Sequence, residues 1–191
     1  AAAESDGSIY TSTDSGATWT EQIAAGVHGW VSLASSADGT KLVAAETHYD
    51  DAVQTFVGSI YTSTDSGVTW NAQATAGEER WASLAIASTT TQIFVTTDTG
   101  TIRASSDFGL TWEDRVANGP VFSVISSGSG ATLLGIGSGS IYTSTDSGAT
   151  WTAHTIAGAR AWYAITSSAD GTKLAAAANG YTDAYIYTST D

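Results

Sequence analysis

Four aspartates stand in one repeated setting, and carboxylates at fixed spacing are the first groups to test for chemistry. Asp14, Asp65, Asp107 and Asp146 each occupy the pattern Ser-x-Asp-x-Gly-x-Thr-Trp, complete at 12–19, 63–70, 105–112 and 144–151. Acids brought together in pairs serve general acid–base or nucleophilic chemistry when one of them has a raised pKa. The neighbours here point to a mechanical role instead. A short carboxylate accepts hydrogen bonds from backbone N–H groups across its own turn, which leaves no raised pKa to exploit. Gly16, Gly67, Gly109 and Gly148 follow two residues later, where a tight turn commonly needs positive φ. Trp19, Trp70, Trp112 and Trp151 then start an outgoing strand and can cover the apolar flank of a hairpin. These residues are read as structural latches, and no catalytic residue is assigned.

A second set of residues has the variability of a binding face on a fixed scaffold. Before each predicted inner strand stand His28-Gly29-Trp30, Glu79-Arg80-Trp81, Gly119-Pro120-Val121 and Arg160-Ala161-Trp162. The polar types change while the framework repeats. The candidate ligand face is therefore His28, Trp30, Glu79, Arg80, Trp81, Arg160 and Trp162, with packing of the Trp rings between units as the competing role. Thr47-His48-Tyr49-Asp50-Asp51 and Asn179-Gly180-Tyr181-Thr182-Asp183 lie in long connections and are expected to project as contact loops. His48 with two Asp lacks any recognised ligand spacing, so no metal is assigned. His154 follows a latch and reads as a surface or packing residue. No phosphate loop, Cys–His pair, helical His-Glu-x-x-His or G-x-S-x-G elbow is present, and no cofactor is expected.

The elements that position these residues come from internal repetition. GSIYTSTDSGATWT occupies 7–20 and again 139–152, with GSIYTSTDSGVTWN at 58–71 and GTIRASSDFGLTWE at 100–113. A fifth copy begins at 185–191, and the aspartates at 14, 65, 107, 146 and 191 are 51, 42, 39 and 45 residues apart. That period suits a four-stranded unit and is too long for one hairpin. Between latches a strand, polar turn and strand recur, as in WVSLASSADGTKLVAA (30–45) and WYAITSSADGTKLAAA (162–177). The prediction is an all-β chain: a β-propeller of four-stranded antiparallel blades, about five units with the first and last incomplete. The units fall near 1–22, 29–73, 80–115, 120–154 and 161–191 in a single domain, with about 18 strands. Closure has three candidate forms: a five-unit ring, a four-unit ring that displaces one copy, or self-association of two chains through their unfinished terminal blades.

The Ser-x-Asp-x-Gly-x-Thr-Trp pattern resembles the Asp-box, or BNR repeat, of sialidases and related propellers. The surrounding W-x-S-x-x-S-S-x-DGTKL strand pair is similar to secreted Asp-box propellers and photosystem II assembly-factor-like proteins. The resemblance implies a hairpin between the third and fourth strands of a blade, remote from the functional face, and implies fold more than function. Sialidase chemistry would need an arginine cluster, a tyrosine nucleophile with a glutamate, and an Arg-Ile-Pro motif. The one Pro, Pro120, follows Asn118-Gly119, and Arg103 replaces a repeated Tyr, so that inventory is incomplete.

Composition narrows the partners. The 191 residues carry a net charge of −13 with six Lys and Arg, no Cys and 20 Gly. Clustered bases for nucleic acid are missing, and an acidic coat disfavours anionic membranes. No apolar run approaches the roughly 20 residues that span a bilayer. The opening AAAESDGSIY has no basic or apolar leader and reads as a mature form or an excised fragment. The expected function is non-catalytic binding of a glycan or protein, extracellular or periplasmic. The alternatives are a structural or assembly module of a larger surface protein and, last, a degenerate sialidase-like hydrolase.

Overall fold

The computed structural model describes residues 1–154, 160–179 and 185–189. The 180–183 part of the second long loop and Asp191 of the fifth repeat lie outside the described residues. Short strands joined by Gly-, Ser- and Thr-rich turns form nearly all the regular structure. Helix among the described residues is limited to single 3-10 turns at Ile23–Ala25 and Ala74–Ala76.

Among the described residues five sheets of three or four strands follow one another along the chain, with a two-stranded hairpin inserted in the second. The first holds β1 (Ala2–Ala3), β2 (Ile9–Thr11) and β3 (Thr20–Glu21). In the second, β4 (Trp30–Ser35) and β5 (Leu42–Glu46) precede an inserted hairpin of β6 (His48–Asp50) and β7 (Thr55–Val57). The chain then returns as β8 (Ile60–Ser63) and β9 (Asn71–Ala72). The third is β10 (Trp81–Ile86), β11 (Ile93–Thr97), β12 (Ile102–Ser105) and β13 (Glu113–Arg115). The fourth is β14 (Val121–Ser126), β15 (Leu133–Gly137), β16 (Ser140–Ser144) and β17 (Thr152–His154). The fifth is β18 (Ala161–Ser167), β19 (Leu174–Asn179) and β20 (Tyr185–Ser189). Every strand pairing among the described residues is antiparallel and joins sequence neighbours, except that β5 pairs with β8 across the inserted hairpin. The first sheet lacks the inner strand of the others; an open cleft lined by Ala1–Ala3 and Trp30–Leu33 lies there. The first long connection, read from sequence as a projecting contact loop, is this hairpin. His-Tyr-Asp pairs Thr-Phe-Val, and the Asp50 carboxylate accepts the Ala52 N–H at 2.7 Å to close its turn.

The core lies between sheets rather than within one. Ile9, Ile60 and Ile102 hold one position of the third strand, and all three are 0% exposed because the next sheet covers them. Ile60 packs with Val43 and Ala45 against Trp81, Leu84, Ile93 and Val95 of the third sheet. Phe94 and Ile102 pack in the same way against Val121, Val124, Leu133 and Trp151 of the fourth. Each such isoleucine contributes about 1.5–3 kcal/mol of burial. The polar ends of the large rings are satisfied across the same seams. The Trp30 indole N–H donates to Gly7 O at 3.1 Å, and that of Trp81 to Gly58 O at 2.9 Å. The Trp162 indole N–H is buried without a hydrogen-bond partner; the equivalent Gly139 carbonyl accepts the Arg160 backbone N–H.

Gly58 is required by close approach. A Cβ there would stand 1.7 Å from the Glu46 carbonyl oxygen. The backbone must shift to admit it, which also moves the acceptor of the Trp81 indole. Gly58→Ala is expected to destabilise by at least about 1–3 kcal/mol, read from urea unfolding; an unchanged midpoint would contradict this seam.

The inner strands β4, β10, β14 and β18 pack on one another in order. Each carries a register shift at its second residue, between Trp30 and Ser32, Trp81 and Ser83, Val121 and Ser123, and Trp162 and Ala164. Such bulges re-aim side chains. Val31, Phe122 and Tyr163 are exposed as a result.

Candidate ligand face

Strand register assigns every connection to one of two ends. Trp30 pairs with Glu46, while Ser35 pairs with Leu42 and Leu42 with Ser63. The entries to inner strands and the connections between second and third strands therefore share one end. The DGT turns and the repeated aspartate turns share the other.

At the aspartate end the geometry is the same four times over. Asp146 accepts the Thr150 N–H at 2.8 Å on Oδ1 and the Thr150 hydroxyl at 2.6 Å on Oδ2. The Ser144 hydroxyl donates to Asp146 Oδ1 at 2.8 Å and accepts the Gly148 N–H at 2.8 Å. The Trp151 indole N–H donates to Gly148 O at 3.0 Å. Asp14, Asp65 and Asp107 repeat these bonds with Thr18, Thr69 and Thr111. Gly16, Gly67, Gly109 and Gly148 have φ of 83 to 97°. The residue before each of them, Ser15, Ser66, Phe108 or Ser147, is also left-handed at 57 to 62°, a requirement the sequence pattern does not display.

Donated hydrogen bonds favour the ionised form. The Thr hydroxyl, Thr N–H and Ser hydroxyl hold Asp14 and Asp146 down to about 2. The Thr111 hydroxyl and N–H, with a smaller share from the Ser105 hydroxyl, do the same for Asp107, and Asp65 is lowered by the same kinds of donor. Ser36 and Thr40 set Asp38 at about 2, as Ser168 and Thr172 set Asp170. These carboxylates are anions locked in their own turns. They have no proton to give near neutral pH.

The opposite end presents different chemistry. The rings of Tyr49 and Phe56 meet edge to face at 5.4 Å on the inserted hairpin. The Arg80 guanidinium lies 5.2 Å over Phe56, and its Nη1 is 3.1 Å from Asp98 Oδ2. Tyr49 and Phe56 remain 48% and 46% exposed, so this cluster faces solvent. The hairpin is anchored from below by Glu46, which is buried. Its Oε1 accepts the Ser59 N–H at 2.9 Å and its Oε2 lies 3.1 Å from His48 Nδ1. His48 is thus engaged by Glu46, and Asp50 by its own turn. Among the described residues no group of three or more His, Cys, Asp or Glu converges on a metal position.

The sequence-predicted face divides in two. Arg80 and Glu79 are exposed, and Arg80 joins the hairpin rings. His28 is half-buried against Trp30 at 5.0 Å and Tyr61 at 5.2 Å. Arg160 lies 4.9 Å over Tyr187, which Trp162 meets edge-on at 5.3 Å, making a separate cluster on the fifth sheet. Trp30 and Trp81 do not present rings to a ligand. They are 4% and 2% exposed and seal the seams between sheets, the competing role stated above. His154 bonds Thr143 Oγ1 at 2.7 Å, matching the Gln73–Thr62 bond of the second sheet. Sequence reasoning did not single out Phe56 or Asp98, nor the bulge residues Val31, Phe122 and Tyr163. A single-copy insertion has no repeat to expose it, although aromatics at 49 and 56 flanking a polar turn were the available signal.

No family profile and no curated relative matches the chain. Solved structures do resemble it. A GH74 enzyme of Niastella koreensis is 19% identical, with a TM-score of 0.72 over 96% of this chain and 33% of its own. YCF48 bound to D1 peptide is 15% identical, with a TM-score of 0.60 over 83% of this chain and 51% of its own. A chain of a nidogen/laminin complex is 13% identical, with a TM-score of 0.63 over 88% of this chain and 64% of its own. This chain therefore spans about a third to two thirds of the structures it resembles. At these identities the likeness concerns fold, and with the five sheets above it defines the class: an all-β, incomplete β-propeller of antiparallel blades.

Proposed function

We propose that the chain is a non-catalytic binding propeller that takes a protein or glycan ligand at the hairpin end. The observation that carries this is the solvent-facing cluster of Tyr49, Phe56, Arg80 and Asp98. Two exposed aromatic rings beside a guanidinium and a carboxylate supply stacking, apolar contact and paired hydrogen-bonding charge, the composition of interface hot spots. Exposed Val31, Phe122 and Tyr163 extend the apolar surface along the inner strands. A protein ligand is favoured by two of the resembling structures, YCF48 bound to D1 peptide and a chain of a nidogen/laminin complex. The four aspartate turns are read as Asp-box (BNR) repeats whose role is to latch hairpins. The non-catalytic reading rests on their ionised, self-satisfied carboxylates. An extracellular or periplasmic location belongs to the same reading and rests on the resemblance to secreted propellers.

The test is retention on a peptide library and a glycan array by the chain and by Tyr49→Ala/Phe56→Ala/Arg80→Ala. Ligands held by the parent are expected to be lost at least about tenfold by the triple variant, the scale of a single hot spot of 1.4 kcal/mol or more. Undiminished retention by a folded triple variant would reject this face.

A further inference from the structure

We infer that the ligand of the hairpin end is a basic segment of another protein, a stretch of chain carrying Lys or Arg beside apolar side chains. The inference rests on the reading of this end as the ligand face and commits that face to one chemistry. It is carried by an exposed apolar patch set among carboxylates that no cation of the chain answers.

The apolar part is held in shape. Tyr49 and Phe56 stand opposite one another on β6 and β7, and Val53 in the turn between them is 60% exposed. The turn is closed from within. Gln54 takes a left-handed φ of 54°, and its amide donates to the Asp51 carbonyl oxygen at 2.6 Å. Rings fixed on a closed turn lose little freedom when a ligand covers them.

Charge surrounds this patch with one sign. Asp51 lies in the hairpin turn itself. The Glu79 backbone N–H donates to Gly58 O at 3.3 Å, which fixes Glu78 and Glu79 beside the end of the hairpin. The Asp98 backbone N–H donates to Arg80 O at 2.9 Å, so Asp98 joins the same group. All four carboxylates belong to exposed residues. Arg80 is the one Lys or Arg of these segments, and it is already engaged by Asp98 and Phe56. Asp51, Glu78 and Glu79 take part in none of the ion pairs among the described residues. The remaining cations lie elsewhere. Lys41 and Lys173 follow the DGT turns at the opposite end, Arg103 and Arg115 pair with Asp114 and Glu113, and Arg160 lies over Tyr187 of the fifth sheet.

A basic segment meets both parts at once. Its Lys or Arg side chains reach the free carboxylates, its apolar side chains cover the rings and Val53, and a guanidinium can stack on the open face of Tyr49. An acidic segment is repelled at the same place. Rim charges act mainly on the association rate, and the covered rings on dissociation.

Biolayer interferometry with three synthetic peptides tests the inference. The peptides share their apolar residues and differ only in carrying Lys and Arg, Gln, or Asp and Glu. The basic peptide is expected to bind the parent at least about tenfold more tightly than the Gln peptide, with association slowing as salt rises and shortens the Debye length from about 10 Å at 0.1 M. Asp51→Asn/Glu79→Gln should slow association at least about threefold and flatten its salt dependence. Val68→Arg/Leu110→Arg makes the same change in net charge at exposed positions of the other end, and should leave association within about twofold. Tyr49→Ala, which leaves the Arg80 contact with Phe56 in place, should speed dissociation about tenfold. Near-UV circular dichroism checks that each variant folds. Equal binding of the basic and Gln peptides would overturn the inference. So would equal slowing by the two charge variants, or unchanged dissociation from Tyr49→Ala, since either marks diffuse attraction to an acidic chain. An acidic peptide or a glycan held by the parent and lost by Tyr49→Ala/Phe56→Ala/Arg80→Ala would overturn this inference and leave the ligand face standing. Retention undiminished by that triple variant would sink both.

Discussion

Trp81→Ala is expected to lower stability by about 3–5 kcal/mol, the range for removing a large buried ring. The site allows little relaxation, because Trp81 is packed between Ile60 and Val43 of one blade and Leu84 and Ile93 of its own. The substitution also strips the Gly58 carbonyl of its indole donor. Domains of this size hold some 5–15 kcal/mol in total, so the variant should lose a large part of its reserve and about 10 °C of melting temperature. Trp81→Phe separates the two terms. It keeps most of the ring burial, breaks the bond to Gly58, and should cost about 1–2 kcal/mol. Stacked repeats interact mainly with neighbours, so Trp81→Ala should also split the unfolding of blades one and two from that of blades three to five. Thermal unfolding followed by calorimetry reads both effects. A single transition at the parent temperature would contradict the seam as the seat of stability.

Acid should unfold the chain over a window fixed by the turn carboxylates. Asp14, Asp38, Asp107, Asp146 and Asp170 are held at about 2 and Asp65 is lowered in the same way, against about 3.9 in an unfolded chain. A lowered folded-state pKa contributes stability that is complete above the unfolded value and lost as pH falls through the folded one. Stability should therefore be level from about pH 6 to 5, then fall between about pH 4 and 2. Near pH 3 the unfolded chain should take up several more protons than the folded one. Asp146→Asn removes one titrating group and should make the fall shallower while lowering stability at neutral pH. Urea midpoints measured every half pH unit test this. A midpoint that rises as pH drops from 4 to 3 would contradict the assignment.

Much of the fold is legible in the sequence because the same segment is written several times. Each of the four complete copies ends its third strand in a turn whose Ser, Asp, Gly and Thr satisfy one another, so strand, turn and strand follow from local chemistry. Inner-strand starts at Trp30, Trp81 and Val121 are legible for the same reason. The site is legible only in part. Arg80 is recognisable as variation on a fixed frame, but a Trp at a strand start has the same composition whether it faces ligand or neighbour. Which role wins depends on the packing angle between sheets, and at Trp30 and Trp81 packing wins. The β6–β7 hairpin occurs once among the described residues, and its three-residue strands are too short for alternation to stand out. Bulges after Trp30, Trp81, Val121 and Trp162 depend on hydrogen-bond register, which no residue type announces.

The central claim is that recognition and latching occupy opposite ends of the blades. It is tested most directly by placing one arginine at each end and measuring retention of the same peptide or glycan probes held by the parent. Phe56→Arg alters the hairpin end, and Val68→Arg alters an exposed position beside Asp65 at the other. The account predicts a loss of at least about tenfold for Phe56→Arg and unchanged retention for Val68→Arg. The reverse pattern, or equal loss at both ends in folded variants, would contradict it.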